Sequence, residues 1–406
     1  MVVTGPLTIR HCWASQQRHP AGTMAPAYAY IELESSQSSK WPAAPCGDVF
    51  ACERTAVATT IVCADGVGSG IRARIAAQMC ASRVLELLKL GFSLRKAMTS
   101  VVRTMQQNRD PSRPFAAFSV ARILNDGMAT ILGYEAPPAI LVGRRHAAVL
   151  PTRSIEIGAA LVNESDCWLE PGDGLLLMSD GITQAGLGNG LPNGWGSDGV
   201  AGYVSHCLTG GTALAEIPEL VRDEAVRLSL RGGDDCTVLL ALCRPGQVVN
   251  ILTGPPRSRS DDWQVAASFL KSKGLRIVCG GTTAEIVART LGQSVRVDED
   301  GESLVAPPRY EIEGVDLVTE GVVTLNQVYN LLDESLDRLT EDSGVTELCA
   351  FLQTADRVNI TFGGAKNRSS GDISFRQQGI LTRERILPLI ADKLRAAGKL
   401  VVVQRA

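Results

Sequence analysis
Ala64-Asp65-Gly66-Val67-Gly68-Ser69-Gly70, Met178-Ser179-Asp180-Gly181-Ile182 and Gly232-Gly233-Asp234-Asp235-Cys236-Thr237 are the stretches that decide how this 406-residue chain reads. Each lies at one end of an apolar run. Thr59 to Cys63 leads into the first, Leu175 to Met178 leads into the second, and Val238 to Leu242 follows the third. A fourth pair, Gly47-Asp48, opens the short strand Val49 to Cys52. Aspartate is depleted in strands, so a carboxylate at the mouth of a buried strand is paired, caps a backbone group or holds a cation. If these strand ends meet, four carboxylates converge, and only hard cations suit so many oxygen ligands. For Gly47-Asp48 taken alone, an ordinary turn is the better reading.

Working outward, alternation over Ala29 to Glu34 predicts a strand, and Asp48 to Ala64 a hairpin with Asp48 and Asp65 at neighbouring strand ends. Gly66, Gly68 and Gly70 permit a tight turn into a helix whose apolar positions are Ile71, Ile75, Met79, Leu85 and Leu88. Ser93 caps a second helix reaching Gln107. After Pro111 and Pro114 come four strand-like runs, 116–124, 128–134, 139–142 and 147–150, the first two joined by the turn Asn125-Asp126-Gly127. Residues 186–199 read as a mobile Gly/Asn-rich loop near Asp180, and 213–230 as a helix. Hairpins flanked by paired helices fit an α/β/β/α sandwich over residues 28–245. Residues 1–27, with His11 and His19, read as a loose arm.

From residue 246 the pattern changes to strand, small or polar turn, then helix, which predicts a smaller, doubly wound, Rossmann-like α/β domain over 246–406 with an open parallel sheet. Its turns, Thr253-Gly254, Gly280-Gly281-Thr282-Thr283 and the one containing Glu320, fall at the carboxyl edge where such sheets bind ligands. With a helix over 284–291, the glycines and threonines before it offer N–H groups and hydroxyls to a small anion. For any single turn, Gly and Thr serve backbone geometry alone. Glu285 and Glu320 are weak candidates for an acid/base pair in a separate nucleotide- or sugar-phosphate-dependent enzyme.

Cys46-Gly47-Asp48, Asp65 to Gly70, Glu170-Pro171-Gly172-Asp173-Gly174 running into Ser179-Asp180-Gly181, and Asp234-Asp235-Cys236-Thr237 form an ordered set. In that order they resemble the metal-dependent serine/threonine protein phosphatase superfamily. The bacterial branch typified by sporulation stage II protein E and the sigma-factor regulatory phosphatases is the most similar. Leu132 to Pro138 and Ile155 to Gly158 add to the likeness, which covers residues 28 to 244. The resemblance implies two Mn2+ or Mg2+ ions that together activate water and neutralise phosphoryl oxygens. It places Asp65 between both ions and the Gly66 carbonyl on one. Asp48 would serve one ion, Asp180 and Asp234 the other, with Asp235 behind them. The implied substrate is phosphoserine or phosphothreonine on a small regulatory protein of bacterial signalling. Where many relatives carry a histidine two residues after the bridging aspartate, this chain has Val67, and no histidine lies in a matched motif. Lys40 and Arg54 are the nearest basic residues to Gly47-Asp48, and neither occupies the phosphate-binding place of some relatives.

Hydrophobic residues make up 45% and charged residues 20% of the chain, an ordinary globular balance, and a formal charge of −3 gives no footprint for nucleic acid. Eleven scattered cysteines without a C-x-x-C pair suit a reducing, cytoplasmic setting. No apolar run is long enough to span a bilayer. The alternative is a catalytically inactive phosphatase-fold scaffold whose C-terminal domain senses a small anionic ligand.

Overall fold
The computed structural model describes residues 28–41, 43–107, 115–229, 233–297, 309–339, 342–365 and 379–406. The arm expected over 1–27 and the Gly232 of the third motif lie outside them. The described chain forms two compact units that meet in sequence at Pro245 and Gly246.

The first unit runs β1 (Ala29–Ser38), β2 (Val49–Arg54), β3 (Ala58–Gly66), α1 (Ile71–Lys89), α2 (Leu94–Gln107), β4 (Ala116–Leu124), β5 (Met128–Tyr134), β6 (Ile140–Val142) and β7 (Ala147–Val149). It continues through β8 (Arg153–Ile157), β9 (Ala160–Trp168), β10 (Gly174–Met178), α3 (Asp180–Thr183), α4 (Gly196–Thr209), α5 (Ile217–Ser229) and β11 (Cys236–Pro245). Two sheets result, ordered β1-β11-β10-β6-β7 and β2-β3-β4-β5-β9-β8. Residue alternation decides the layers. Leu175 and Leu177 of β10, with Leu239 and Ala241 of β11, meet Ile61, Cys63 and Ile123 of the other sheet. Leu176, Met178, Val238 and Leu240 face the other way, under Val204 of α4 and Val221 of α5. On the far side, α1 and α2 cover Val62, Val120 and Leu132. The architecture is therefore an α/β/β/α sandwich. Burying each Leu here contributes about 2 kcal/mol.

Three local expectations are corrected. α1 does not bury Ile71, Ile75 and Met79, which are exposed; it buries Ala73, Ala76, Ala77, Cys80, Ala81 and Val84. Small residues win that face because the helix lies close on the sheet. A Cβ on Gly66 would fall 1.9 Å from the Ala73 carbonyl oxygen. Helix α4 occupies 196–209, where the Gly-rich composition concealed the apolar positions Val200, Ala201, Val204 and Leu208. Strands β8 and β9 were not foreseen, since their burial is patchy and β8 is an exposed edge.

The second unit runs β12 (Val248–Thr253), α6 (Asp262–Leu270), β13 (Leu275–Cys279), α7 (Gly281–Leu291), β14 (Arg296–Val297), β15 (Arg309–Glu311) and β16 (Leu317–Thr319). It ends with α8 (Val322–Leu331), α9 (Gly344–Thr354), β17 (Arg357–Phe362), α10 (Arg383–Ala396) and β18 (Leu400–Arg405). The seven-stranded sheet is ordered β14-β15-β16-β13-β12-β17-β18. Five strands are parallel, but β15 pairs antiparallel with β16 and with β14, so the sheet is mixed rather than wholly parallel. Leu325, Leu348, Phe351 and Ile386 of α8, α9 and α10 pack on one face. Ala266, Phe269, Ile286 and Val287 of α6 and α7 pack on the other. Among the described residues, no helix is long and apolar enough to cross a membrane.

Candidate metal centre
Register brings the acidic strand mouths of the two sheets to one end of the sandwich. In the six-stranded sheet Val49 pairs with Ala64, which sets Asp48 beside Asp65. In the other sheet Met178 pairs with Val238, which sets Asp180 beside the Asp234-Asp235 segment. Two polar ties then join the sheets. Thr237 Oγ1 donates to Asp48 Oδ2 at 2.7 Å and accepts from Gln37 Nε2 at 2.9 Å. The buried Asp235 carboxylate accepts from the Lys40 N–H at 2.8 Å and from the Gly47 N–H at 2.9 Å. Ser179 Oγ accepts from the Thr237 N–H at 2.9 Å, locking the entry to α3 against β11.

Asp48 is fully buried, and its Oδ1 has no hydrogen-bond partner among the described residues. Burial pushes its carboxyl up to about 6, against the opposing hydrogen bond from Thr237. Asp65 lies between Asp48 and Asp180. Burial, then the charges of Asp48 and Asp180, push it up to about 10. Asp180 is held on its outer side by Gln184 Nε2 at 2.8 Å. Gly66 follows Asp65 and admits no side chain, because α1 packs directly on it.

Asp234 is placed differently from the other three. Its Oδ1 accepts from the Asp235 N–H at 3.0 Å and pairs with Lys40 Nζ at 3.4 Å. It lines a cleft with Lys40, Gly181, Gln184 and Asn189, whereas Asp65, Ser179 and Asp180 line another with Glu135 and Pro137. Among the described residues, no group of three or more His, Cys, Asp or Glu side chains is arranged to enclose a metal ion. The four carboxylates therefore share one end of the sandwich without forming a closed ligand shell.

Three features of the donor set nonetheless fit a hard divalent cation. The donors are all oxygens, one buried carboxylate oxygen is orphaned, and burial, then its neighbours' negative charge, pushes the Asp65 carboxyl up.

Two residues take places at the site that the sequence did not assign to them. Lys40 reaches Asp234 and, through its backbone, Asp235, although it lies in a loop of ordinary composition. Arg54, its companion candidate, lies elsewhere: it donates to the Ile31 carbonyl and stacks over Tyr30. Glu135 lines the Asp65 cleft with φ +52°, the one non-glycine residue in the left-handed region among those described. Nothing in its sequence neighbourhood signals that conformation. The described cysteines are all free, and burial pushes Cys46 and Cys236 up to about 12, so neither supplies a thiolate. His146 faces Ser205 rather than the aspartates.

Stacked antiparallel sheets, helices outside both and acidic residues at one common edge define the class: an α/β/β/α sandwich domain with carboxylates gathered at one end. Residues 56–244, just under half of the chain, match the family model for stage II sporulation protein E, SpoIIE. The first unit is thus similar to the domain that this family model describes. Solved structures similar to the chain include the RsbU and RsbW domains of a Mycobacterium tuberculosis protein. That likeness has 18% identity, covers 60% of this chain and 68% of the other, and has a TM-score of 0.46. The phosphatase domain of Bacillus subtilis SpoIIE with a fragment of its regulatory domain is also similar, at 18% identity, 53% and 62% coverage and TM-score 0.46. This chain thus covers less than two thirds of that fragment. The SiaA phosphatase domain of Pseudomonas aeruginosa gives 16%, 53% and 84%, and 0.40. No curated protein matches the chain by sequence.

Proposed function
We propose that the first unit is a metal-dependent protein serine/threonine phosphatase that hydrolyses phosphoserine or phosphothreonine on a regulatory protein in bacterial cytoplasmic signalling. The observation that carries this reading is the trio at the strand mouths, with Asp48 buried and Asp65 and Asp180 half-buried beside it. Asp48 and Asp180 crowd Asp65, and their charge calls for a cation rather than for protons. Asp48, Asp65 and the Gly66 carbonyl would hold one Mn2+ or Mg2+ ion, and Asp65 and Asp180 a second, with Asp234 joining once its pair with Lys40 opens. When bound, the ions would supply Lewis acidity toward water and the phosphoryl oxygens. The protein's own groups fix the rest. Thr237 and Gln37 orient Asp48, Asp235 pins the Gly47 backbone, and Gln184 orients Asp180. The test is hydrolysis of p-nitrophenyl phosphate and a phosphoserine peptide with Mn2+, Mg2+ or EDTA. Activity should need the cation and fall by about a hundredfold or more in Asp180→Asn. Cation-independent activity, or full activity in the variant, would refute the mechanism.

One observation favours the second reading, an inactive scaffold. Lys40 occupies Asp234 with a positive charge of the protein's own. Lys40→Ala separates the two. In a phosphatase, freeing Asp234 raises Mn2+ affinity by about tenfold or less in calorimetry. In a scaffold, neither wild type nor variant binds the cation.

A further inference from the structure
The five parallel strands of the second unit are ordered β16-β13-β12-β17-β18. The chain builds outward from β12 on one side, then returns to build on the other, so its direction reverses between β12 and β17. At such a reversal the turns after the strands diverge, and open α/β sheets take their ligands there.

Arg383, the first residue of α10, lies at this edge and is only 9% exposed. Its guanidinium rests against two turns. Nη1 lies 2.1 Å from where a Cβ on Gly254, just after β12, would be. Nη2 lies 3.9 Å from the corresponding point on Gly280, just after β13. Among the described residues, no hydrogen bond or ion pair satisfies this guanidinium, and its Nε is orphaned. Burial holds its pKa below the ordinary arginine range, and the charges of Glu384 and Glu320 oppose that only in part. A buried arginine in this condition is costly unless an anion compensates it.

The same turn supplies further donors. Thr283 is 2% exposed, and its Oγ1 has no partner among the described residues; it lies 3.4 Å from the Cβ position of Gly280, the point that the guanidinium also approaches. Helix α7 begins at Gly281 with Gly280 (φ +125°) as an N-cap that offers no side chain. The first N–H groups of α7 therefore have no acceptor within the helix. The other sequence candidates separate here. Thr253 is committed, donating to the Cys279 carbonyl at 2.9 Å. Glu320 caps α8 by accepting from the Val323 N–H at 3.3 Å. Gly281, Thr282 and Thr283 belong to the first turn of α7 rather than to a loop before it, and Thr282 is exposed.

We propose that Arg383, Thr283 and the amino end of α7, gathered around Gly254 and Gly280, form a site for the terminal phosphate group of a small molecule. A planar guanidinium fork, a hydroxyl and helix N–H groups are donors arranged for a tetrahedral oxyanion. A phosphate also brings enough charge to offset a buried cation. The glycines are part of the site, since a side chain at Gly254 would displace the guanidinium.

The test uses the full chain in EDTA, with inorganic phosphate as the probe, followed by calorimetry and thermal unfolding. Because the first unit could bind phosphate too, wild type, Arg383→Met and Thr283→Val are compared. At ten times the Kd, phosphate should raise the wild-type Tm by about 4 °C. Arg383→Met should start from a higher Tm without phosphate, because an uncompensated buried charge is gone, and lose about tenfold or more in affinity. Thr283→Val, nearly the same shape, should lose about threefold. If Arg383→Met fails to fold, the Thr283→Val affinity decides. A wild type that ignores phosphate, or variants that bind it as wild type does, overturn the site. A nucleoside monophosphate or a sugar phosphate that binds more tightly than phosphate, with the same dependence on Arg383, identifies the source of the group.

Discussion

Replacing Asp65 by Asn should stabilise the cation-free protein while abolishing its response to metal. In the fold, burial and the charges of Asp48 and Asp180 push the Asp65 carboxyl from 3.8 to about 10. The unfolded chain releases that proton near pH 4 and the folded chain retains it. Stability is therefore complete below about pH 4 and falls as pH rises, through neutrality, toward 10. At pH 7.5 the loss is at most about 5 kcal/mol, and about half that once neighbouring carboxylates share the proton. Asn cannot ionise and keeps the shape, so Asp65→Asn in EDTA should raise Tm by about 5–10 °C. Thermal unfolding by circular dichroism between pH 5 and 8 reads this directly. The gap between variant and wild type should widen with pH and close when Mn2+ is added to wild type. A variant equal to or less stable than wild type in EDTA at pH 7.5 would refute the idea that like charge strains this site.

Two other perturbations follow from backbone geometry. Glu135→Gly should stabilise the fold by up to about 1 kcal/mol in urea unfolding, because glycine accepts the left-handed conformation without penalty. A loss of phosphatase activity in that stabilised protein would assign the Glu135 side chain to the reaction. Gly66→Ala should cost about 3 kcal/mol or more, or prevent folding, since its Cβ would meet the Ala73 carbonyl at 1.9 Å. Wild-type urea stability in that variant would mean that α1 does not lie where the packing puts it.

The sandwich was legible because its strands are apolar runs of the right length, and each motif aspartate marks where one of them begins or ends. Leu175 to Met178 and Val238 to Leu242 could be read as buried on both faces, and all but the half-buried Leu242 are. The face of α1 was misread because size was weighed without distance. Ile71, Ile75 and Met79 are too large for a helix lying this close to its sheet, and alanines take their places. At the site, the aspartates' residence at strand mouths was visible in the chain, but their partners were not. Lys40 stands 194 residues from Asp234, and no local pattern announces such a pair. Arg383 was missed for a related reason. The Gly and Thr turns of the second unit advertise themselves by composition, whereas an arginine opening a helix in charged sequence looks like any solvated side chain until its burial is known.

The ties between Thr237 and Asp48 and between Asp235 and Gly47 make the acidic edge a gauge of the whole sandwich. Asp48 and Asp65 ride on one sheet, Asp180 and Asp234 on the other, so the spacing between carboxylates reports how far apart the two sheets stand. Any slip of one layer over the other, even one begun among the leucines deep between them, would change the span that a cation has to bridge. The spacing of the acidic edge and the tightness of a remote greasy interior thus become a single quantity, read at the edge like a vernier.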